Sequence, residues 1–138
     1  MAEVFLDASY AIALASRTDQ HHTRALELAA WIEATQAPLV TSRAVVLEIG
    51  NALAKQRYRS AAIALLEAIE KDTRIEIVPL SEELFIRAAT LYARYTDKEW
   101  GLTDCVSFVL MRERKIEEAL TADTDFHQAG FRALLLSD

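Results

Sequence analysis

A chain of 138 residues with 52% apolar side chains, three Gly and two Pro has the material for one domain, residues 1–138, with a proper core and no long linker. Its formal charge of −6 argues against coating nucleic acid by bulk electrostatics, and its single cysteine, Cys105, excludes an intrachain disulfide and fits a reducing compartment. No apolar run reaches bilayer length and the N-terminus has no basic segment before its apolar stretch, so a cytoplasmic protein with no membrane partner is expected.

The chain opens with a short apolar run, Val4-Phe5-Leu6, that stops at Asp7-Ala8-Ser9. This predicts a buried strand and then a helix through Tyr10, Ile12, Ala13 and Leu14. Asp7 then lies at the carboxyl end of a strand, the edge where open parallel sheets bind ligands. Helix capping by Asp7 or Ser9 is the plain structural alternative. Residues 19–35 predict a second helix, with Ala25, Leu28, Ala29 and Ile32 on one face. His21 and His22 are adjacent and point about 100° apart on a helix, so they read as structural rather than as a metal pair.

Pro38-Leu39-Val40-Thr41 predicts a second strand, and Ser42 a cap for the helix over residues 44–53. That helix turns Val45, Ile49, Ala52 and Leu53 inward, and Glu48 falls on the same face. A carboxylate there must protonate, find a partner or bind a metal. Lys55-Gln56-Arg57-Tyr58-Arg59 follows, three bases interleaved with an aromatic. It reads either as a phosphate-contacting patch or as a solvated helix end whose bases complement the dipole. Residues 60–71 predict a helix, residues 74–80 a third strand, and Ser81-Glu82-Glu83 the start of a helix to about Tyr95 with Leu84, Ala88, Leu91 and Tyr92 inward.

Residues 96–100 read as a polar loop. Gly101-Leu102-Thr103-Asp104-Cys105 opens a helix that is apolar nearly all round, with Asp104 in its first turn. Arg112-Glu113-Arg114-Lys115 ends it as a second, weaker basic patch. Residues 118–122 predict a fourth strand ended by Asp123, as Asp7 ends the first, and residues 131–136 a last strand. Strands alternating with helices predict an α/β chain: a three-layer α/β/α sandwich around a mainly parallel sheet of four to five strands.

Each acid has a local excuse, yet a parallel sheet can bring Asp7, Glu48, Asp104 and Asp123 to one edge. Carboxylates about 5 Å apart repel by roughly 3 kcal/mol per pair at an effective dielectric of 20. Such a cluster calls for protonation or a cation. All-oxygen donors favour Mg²⁺ or Mn²⁺ over zinc, and a hard cation held by a few carboxylates suits phosphodiester hydrolysis. No Gly-rich phosphate loop, dinucleotide fingerprint or histidine beside Cys105 in sequence supports a competing chemistry.

Phe5-Leu6-Asp7-Ala8-Ser9, Glu48-Ile49-Gly50-Asn51, Leu102-Thr103-Asp104-Cys105 and Leu120-Thr121-Ala122-Asp123-Thr124-Asp125-Phe126 together resemble the successive signatures of PIN-domain ribonucleases. The compact form is most similar to VapC-type toxins of toxin–antitoxin pairs. The resemblance implies a PIN-like fold and a metal-dependent endoribonuclease acting on RNA. It implies Asp7, Glu48, Asp104 and Asp123 as catalytic metal ligands for Mg²⁺ or Mn²⁺. Ser9, Asn51, Thr121 and Asp125 would be supporting neighbours. It also implies a homodimer and a protein antitoxin, with a solitary RNA-processing PIN ribonuclease or a catalytically retired PIN binding module as alternatives. Gly101 and Cys105 depart from the residues common at those positions, and neither removes a candidate ligand.

Overall fold

The apolar runs become strands, and the computed structural model, which describes residues 1–137, joins them into one sheet. The elements in order are β1 (Val4–Leu6), α1 (Ala8–Ala15), α2 (His22–Thr35), β2 (Leu39–Ser42), α3 (Arg43–Ala52), α4 (Gln56–Lys71), β3 (Ile75–Val78), α5 (Glu82–Arg94), α6 (Leu102–Arg114), β4 (Glu118–Leu120), α7 (Thr124–Gln128) and β5 (Arg132–Ala133). A single 3₁₀ turn, Leu134–Leu136, follows. The sheet runs in the order β3-β2-β1-β4-β5, and every neighbouring pair is parallel. β1 and β2 are buried at every position, as expected of a parallel sheet covered on both faces. β3, at the edge, is only half-buried.

This order decides where a site can form. From β1 the chain moves outward through β2 to β3, then crosses back to place β4 on the other side of β1. The direction reverses between β1 and β4, so the helices leaving those two strands diverge. A crevice opens beyond their carboxyl ends, the usual ligand position in such sheets. Asp7 and Asp123 follow those two strands within three residues.

Several expectations are corrected. The last strand is two residues long, because Leu135 donates its N–H to Thr121 O at 3.1 Å and the chain turns over the end of β4 instead of extending. Ala52 and Tyr92, expected inward, are exposed. α4 starts at Gln56 rather than Ser60, so Lys55, Arg57 and Arg59 stand at a helix N-terminus, where the dipole disfavours them. The reading of this patch as a dipole-complementing helix end therefore fails. The second patch is mostly structural: Arg114 bonds Glu3 and Glu76, while Lys115 is the left-handed C-cap of α6.

Trp100, at the end of the supposed polar loop, is buried. Its ring meets Phe108 edge-on at 5.0 Å, Phe108 meets Phe126 edge-on at 5.0 Å, and Phe126 lies 6.4 Å from Phe5. Its indole N–H donates to Gln128 Oε1 at 3.2 Å. This aromatic file ties the start of α6 and the short α7 to the central strand. No helix among the described residues is long and apolar enough to cross a membrane.

Candidate active site

Asp7 leaves β1 in extended backbone and caps α1. It is 4% exposed, and every hydrogen bond that Ser9 and Thr121 make to it lands on Oδ2. The Ser9 hydroxyl donates at 2.9 Å, the Thr121 hydroxyl at 2.7 Å and the Ser9 N–H at 3.4 Å. Burial pushes the Asp7 carboxyl above its ordinary range, and the bonds from Thr121 and Ser9 oppose that push. These bonds leave Oδ1 as the oxygen for a ligand.

The two hydroxyls also hold the exit of β4. Ser9 Oγ accepts from the Ala122 N–H at 2.9 Å, and Thr121 Oγ1 accepts from the Asp123 N–H at 3.0 Å. Each hydroxyl has one proton. With both protons directed at Asp7, the 3.1 Å approach of Ser9 Oγ to Thr121 Oγ1 is a packing contact. Thr121 is fully buried, so its role is positional. Thr121→Val keeps the volume but strands the Asp123 N–H and removes the shortest bond to Asp7. It is expected to cost about 1–3 kcal/mol, read from a urea midpoint, with a reduced cleavage rate. Unchanged stability would show that the hydroxyl is dispensable.

Asp123 caps α7, with Oδ1 accepting from the Asp125 N–H at 2.8 Å. Asp104 is the third residue of α6, and its Oδ2 accepts the Gly101 N–H at 3.1 Å. A side chain at position 101 would meet that oxygen at 3.5 Å, an ordinary contact, so glycine is not demanded there. Asp104, Asp123 and Asp125 each offer an oxygen within 4.8 Å of the other two. Asp125, expected only as a supporting residue, thus joins the tightest oxygen group.

Glu48 reaches the same place from α3, half-buried. Its carboxyl is pushed up to about 7, first by burial and then by the charges of Asp7 and Asp123. Asp104 is likewise pushed up to about 7, first by burial and then by Asp123, with Asp7 and Glu48 adding to it and the Gly101 N–H opposing. These shared fields bring the four expected acids into one neighbourhood, although Asp7 and Glu48 lie outside the 4.8 Å oxygen group. The Asp125 carboxyl is raised by burial and by Asp123. Among the described residues no Lys, Arg or His forms an ion pair with any of the five. Buried and half-buried acids without a base are the state a cation relieves, and an all-oxygen donor set fits a hard divalent ion. Asn51 is exposed on α3, three residues beyond Glu48. Cys105 is buried, and burial lifts its thiol, so it offers no nucleophile.

The PIN-domain family profile matches residues 4–132. The 23S rRNA-specific endonuclease VapC20 of Mycobacterium tuberculosis, from strains CDC 1551 / Oshkosh and ATCC 25618 / H37Rv, is 32% identical over 129 residues, covering 93% of this chain and 95% of the relative. The crystal structure of that VapC20, described as a Sarcin-Ricin loop cleaving toxin, superposes with a TM-score of 0.82 at 29% identity, covering 93% of this chain and 95% of the other. VapBC2 from Rickettsia felis, bound to a DNA fragment from its promoter, superposes with a TM-score of 0.66 at 14% identity, covering 95% and 96%; this likeness concerns the fold alone.

Proposed function

This chain belongs to the PIN-domain family, and from that premise we propose that it is a metal-dependent endoribonuclease, the toxin of a VapBC-type toxin–antitoxin pair. The observation that carries the reading is the group of carboxyls at the β1–β4 switch point, paired with no base among the described residues and raised by burial and then by one another. Residues 1–138 act as one PIN-like unit in this reading. The substrate class is structured RNA, as for VapC20, whose name gives 23S rRNA. A homodimer, a protein antitoxin and a cytoplasmic setting complete the proposal.

Asp104, Asp123 and Asp125 would hold the cation, Mg²⁺ or Mn²⁺, with Asp7 Oδ1 and Glu48 as further donors. Such an ion supplies Lewis-acid activation of water and neutralises charge at the phosphate. Ser9 and Thr121 fix the Asp7 carboxylate, and Asp125's N–H fixes that of Asp123. Glu48 stands outside the close oxygen group and makes its carboxylate available to accept the proton of the attacking water at an Oε oxygen. The direct test is cleavage of a ribosomal RNA pool by the purified protein with Mn²⁺, with Mg²⁺ and with chelator. Cleavage that survives full chelation would overturn the metal-dependent reading.

The same carboxyls make a stability prediction. The ordinary values of Glu48 and Asp104 are 4.5 and 3.8, and both rise to about 7 in the fold. A raised carboxyl favours the fold when protonated. That contribution is complete below the unfolded values and is lost as pH climbs through about 7. Metal-free protein is therefore expected to be less stable at about pH 7.5 than at about pH 5.5, by about 2 kcal/mol once solvent screening on the open side is allowed for. Mn²⁺ is expected to raise Tm more at the higher pH, where protons do not compete for the oxygens. A Mn²⁺ gain independent of pH would contradict this account.

A further inference from the structure

The corner between α3 and α4 carries charge that the fold does not use. Residues 49–66 contain no acid, in a chain with 21 of them, yet hold Lys55, Arg57 and Arg59. All three are exposed. None makes an ion pair among the described residues, whereas Arg43, Arg74, Arg87, Arg114 and Arg132 all do. Arg59 is occupied by the Ala54 carbonyl, to which Nε and Nη2 donate at 3.1 and 2.7 Å. Arg57 lies over the Tyr58 ring at 4.8 Å, a flat cation on an aromatic, and Lys55 is free. Among the described residues Lys55 and Arg57 thus pair with no acid, and the helix start they occupy disfavours their charge.

Their position follows from the topology. α4 feeds the start of β3, and its second half, Leu65, Ala68 and Ile69, packs beside Leu6, Tyr10 and Leu39 over the sheet. A helix of 16 residues is about 24 Å long, while a strand of four residues spans about 13 Å. The first turns of α4 therefore overhang the sheet edge where β1 and β4 end, which is the edge of the acids. In agreement, residues 56–61 bury no side chain fully, and Tyr58 alone is half-buried. Glu48 lies one turn before the end of α3, and Lys55 is the N-cap of α4 three residues beyond that end.

We propose that Lys55 and Arg57, on the corner between α3 and α4, bind backbone phosphates of the RNA flanking the cleaved bond and hold the strand over the acidic crevice. This rests on the ribonuclease reading above. An acidic crevice repels a polyanion, so a separate cationic hold beside it supplies the attraction that a chain of net charge −6 lacks. The Arg57–Tyr58 pair favours nucleic acid over an acidic protein surface, because a stacked guanidinium presents both a phosphate donor and a plane for a base.

The test compares Lys55→Glu/Arg57→Glu with the wild type across a salt series. The first readout is steady-state cleavage of a labelled stem-loop RNA in Mn²⁺. The second is binding of that RNA in an Asp104→Asn background, which needs no turnover. The proposal expects KM and Kd to rise about tenfold or more, kcat to hold within about twofold, and the salt slope of binding to fall by about 1.4, or 0.7 per lost contact on a single strand. Lys55→Ala/Arg57→Ala should show a smaller change in the same direction. Arg17→Glu and Lys71→Glu, at the opposite end of the sheet, should leave all three unchanged, and calorimetric Mn²⁺ binding should match the wild type in every variant that keeps Asp104. Unchanged KM and salt slope in the double variant would overturn the proposal and leave the patch to an acidic protein partner. Wild-type protein that binds RNA through these residues but cleaves none would instead overturn the ribonuclease reading alone.

Discussion

Asp104→Asn is expected to abolish metal-dependent RNA cleavage, lowering kcat by about a thousandfold or more, while making the metal-free protein more stable at neutral pH. The two effects have one cause. The Asp104 carboxyl is half-buried beside Asp123, with Asp7 and Glu48 adding to the field, and no base among the described residues pairs with it. In the metal-free protein its charge is a burden. In the loaded protein it is one of the three oxygens that lie close enough to share an ion. The amide keeps the shape and can still accept the Gly101 N–H at the start of α6, so the helix cap survives. What disappears is the charge. A thousandfold corresponds to about 4 kcal/mol of barrier. Asp7→Asn should match it in activity: the amide oxygen can still accept from Ser9 and Thr121, but an NH₂ group replaces the oxygen left for a ligand. Activity is read as Mn²⁺-dependent cleavage and stability as Tm in chelator. Full activity in both variants would remove the site, and a large loss of Tm in Asp104→Asn would show that the carboxylate is part of the fold and not a poised ligand.

This trade between stability and function also marks what could be seen in the chain beforehand. Val4-Phe5-Leu6 before Asp7 and Ala119-Leu120 before Thr121 and Asp123 announce buried strands with acids at their ends. Two such endings on neighbouring parallel strands already imply a shared crevice. Glu48 was legible because an acid on an apolar helix face contradicts its surroundings. Asp125 was not. Its N–H bond to Asp123 Oδ1 and its closeness to Asp104 depend on how the chain turns after β4, and side-chain spacing along α7 carries no record of that turn. Trp100 was hidden by its polar neighbours, since periodicity says nothing about one large residue in a loop. The start of α4 was missed because its first turn overhangs the sheet and buries nothing, leaving no apolar stripe to read. Three leucines at 134–136 have strand-like character, but a hydrogen bond from Leu135 to Thr121, distant in sequence, bends them into a 3₁₀ turn.

Phe126→Ala should produce the largest loss of stability among single truncations near the site, about 3–5 kcal/mol. α7 has five residues, too few to hold a helix by its own hydrogen bonds, and Phe126 is its one buried side chain. That ring is fully buried between Phe108 and Phe5, and its backbone N–H and carbonyl bond Asp123 O and the Phe131 N–H. Truncation opens a cavity in the middle of the aromatic file and releases the segment that carries both Asp123 and Asp125. For a chain of this length the cost converts to a Tm lower by about 10–20 °C. Two of the three close oxygens belong to α7 and its N-cap, so Mn²⁺ affinity should fall as well, even though no ligand atom is removed. Phe126→Leu keeps most of the volume and should lose about 1–2 kcal/mol with a smaller change in affinity. Comparing the two by calorimetric Mn²⁺ titration, well below the Tm of each, separates anchoring from folding. If both variants bound Mn²⁺ as tightly as the wild type, α7 would not depend on this ring for its place, and the acids it carries would be held by the backbone of β4 alone.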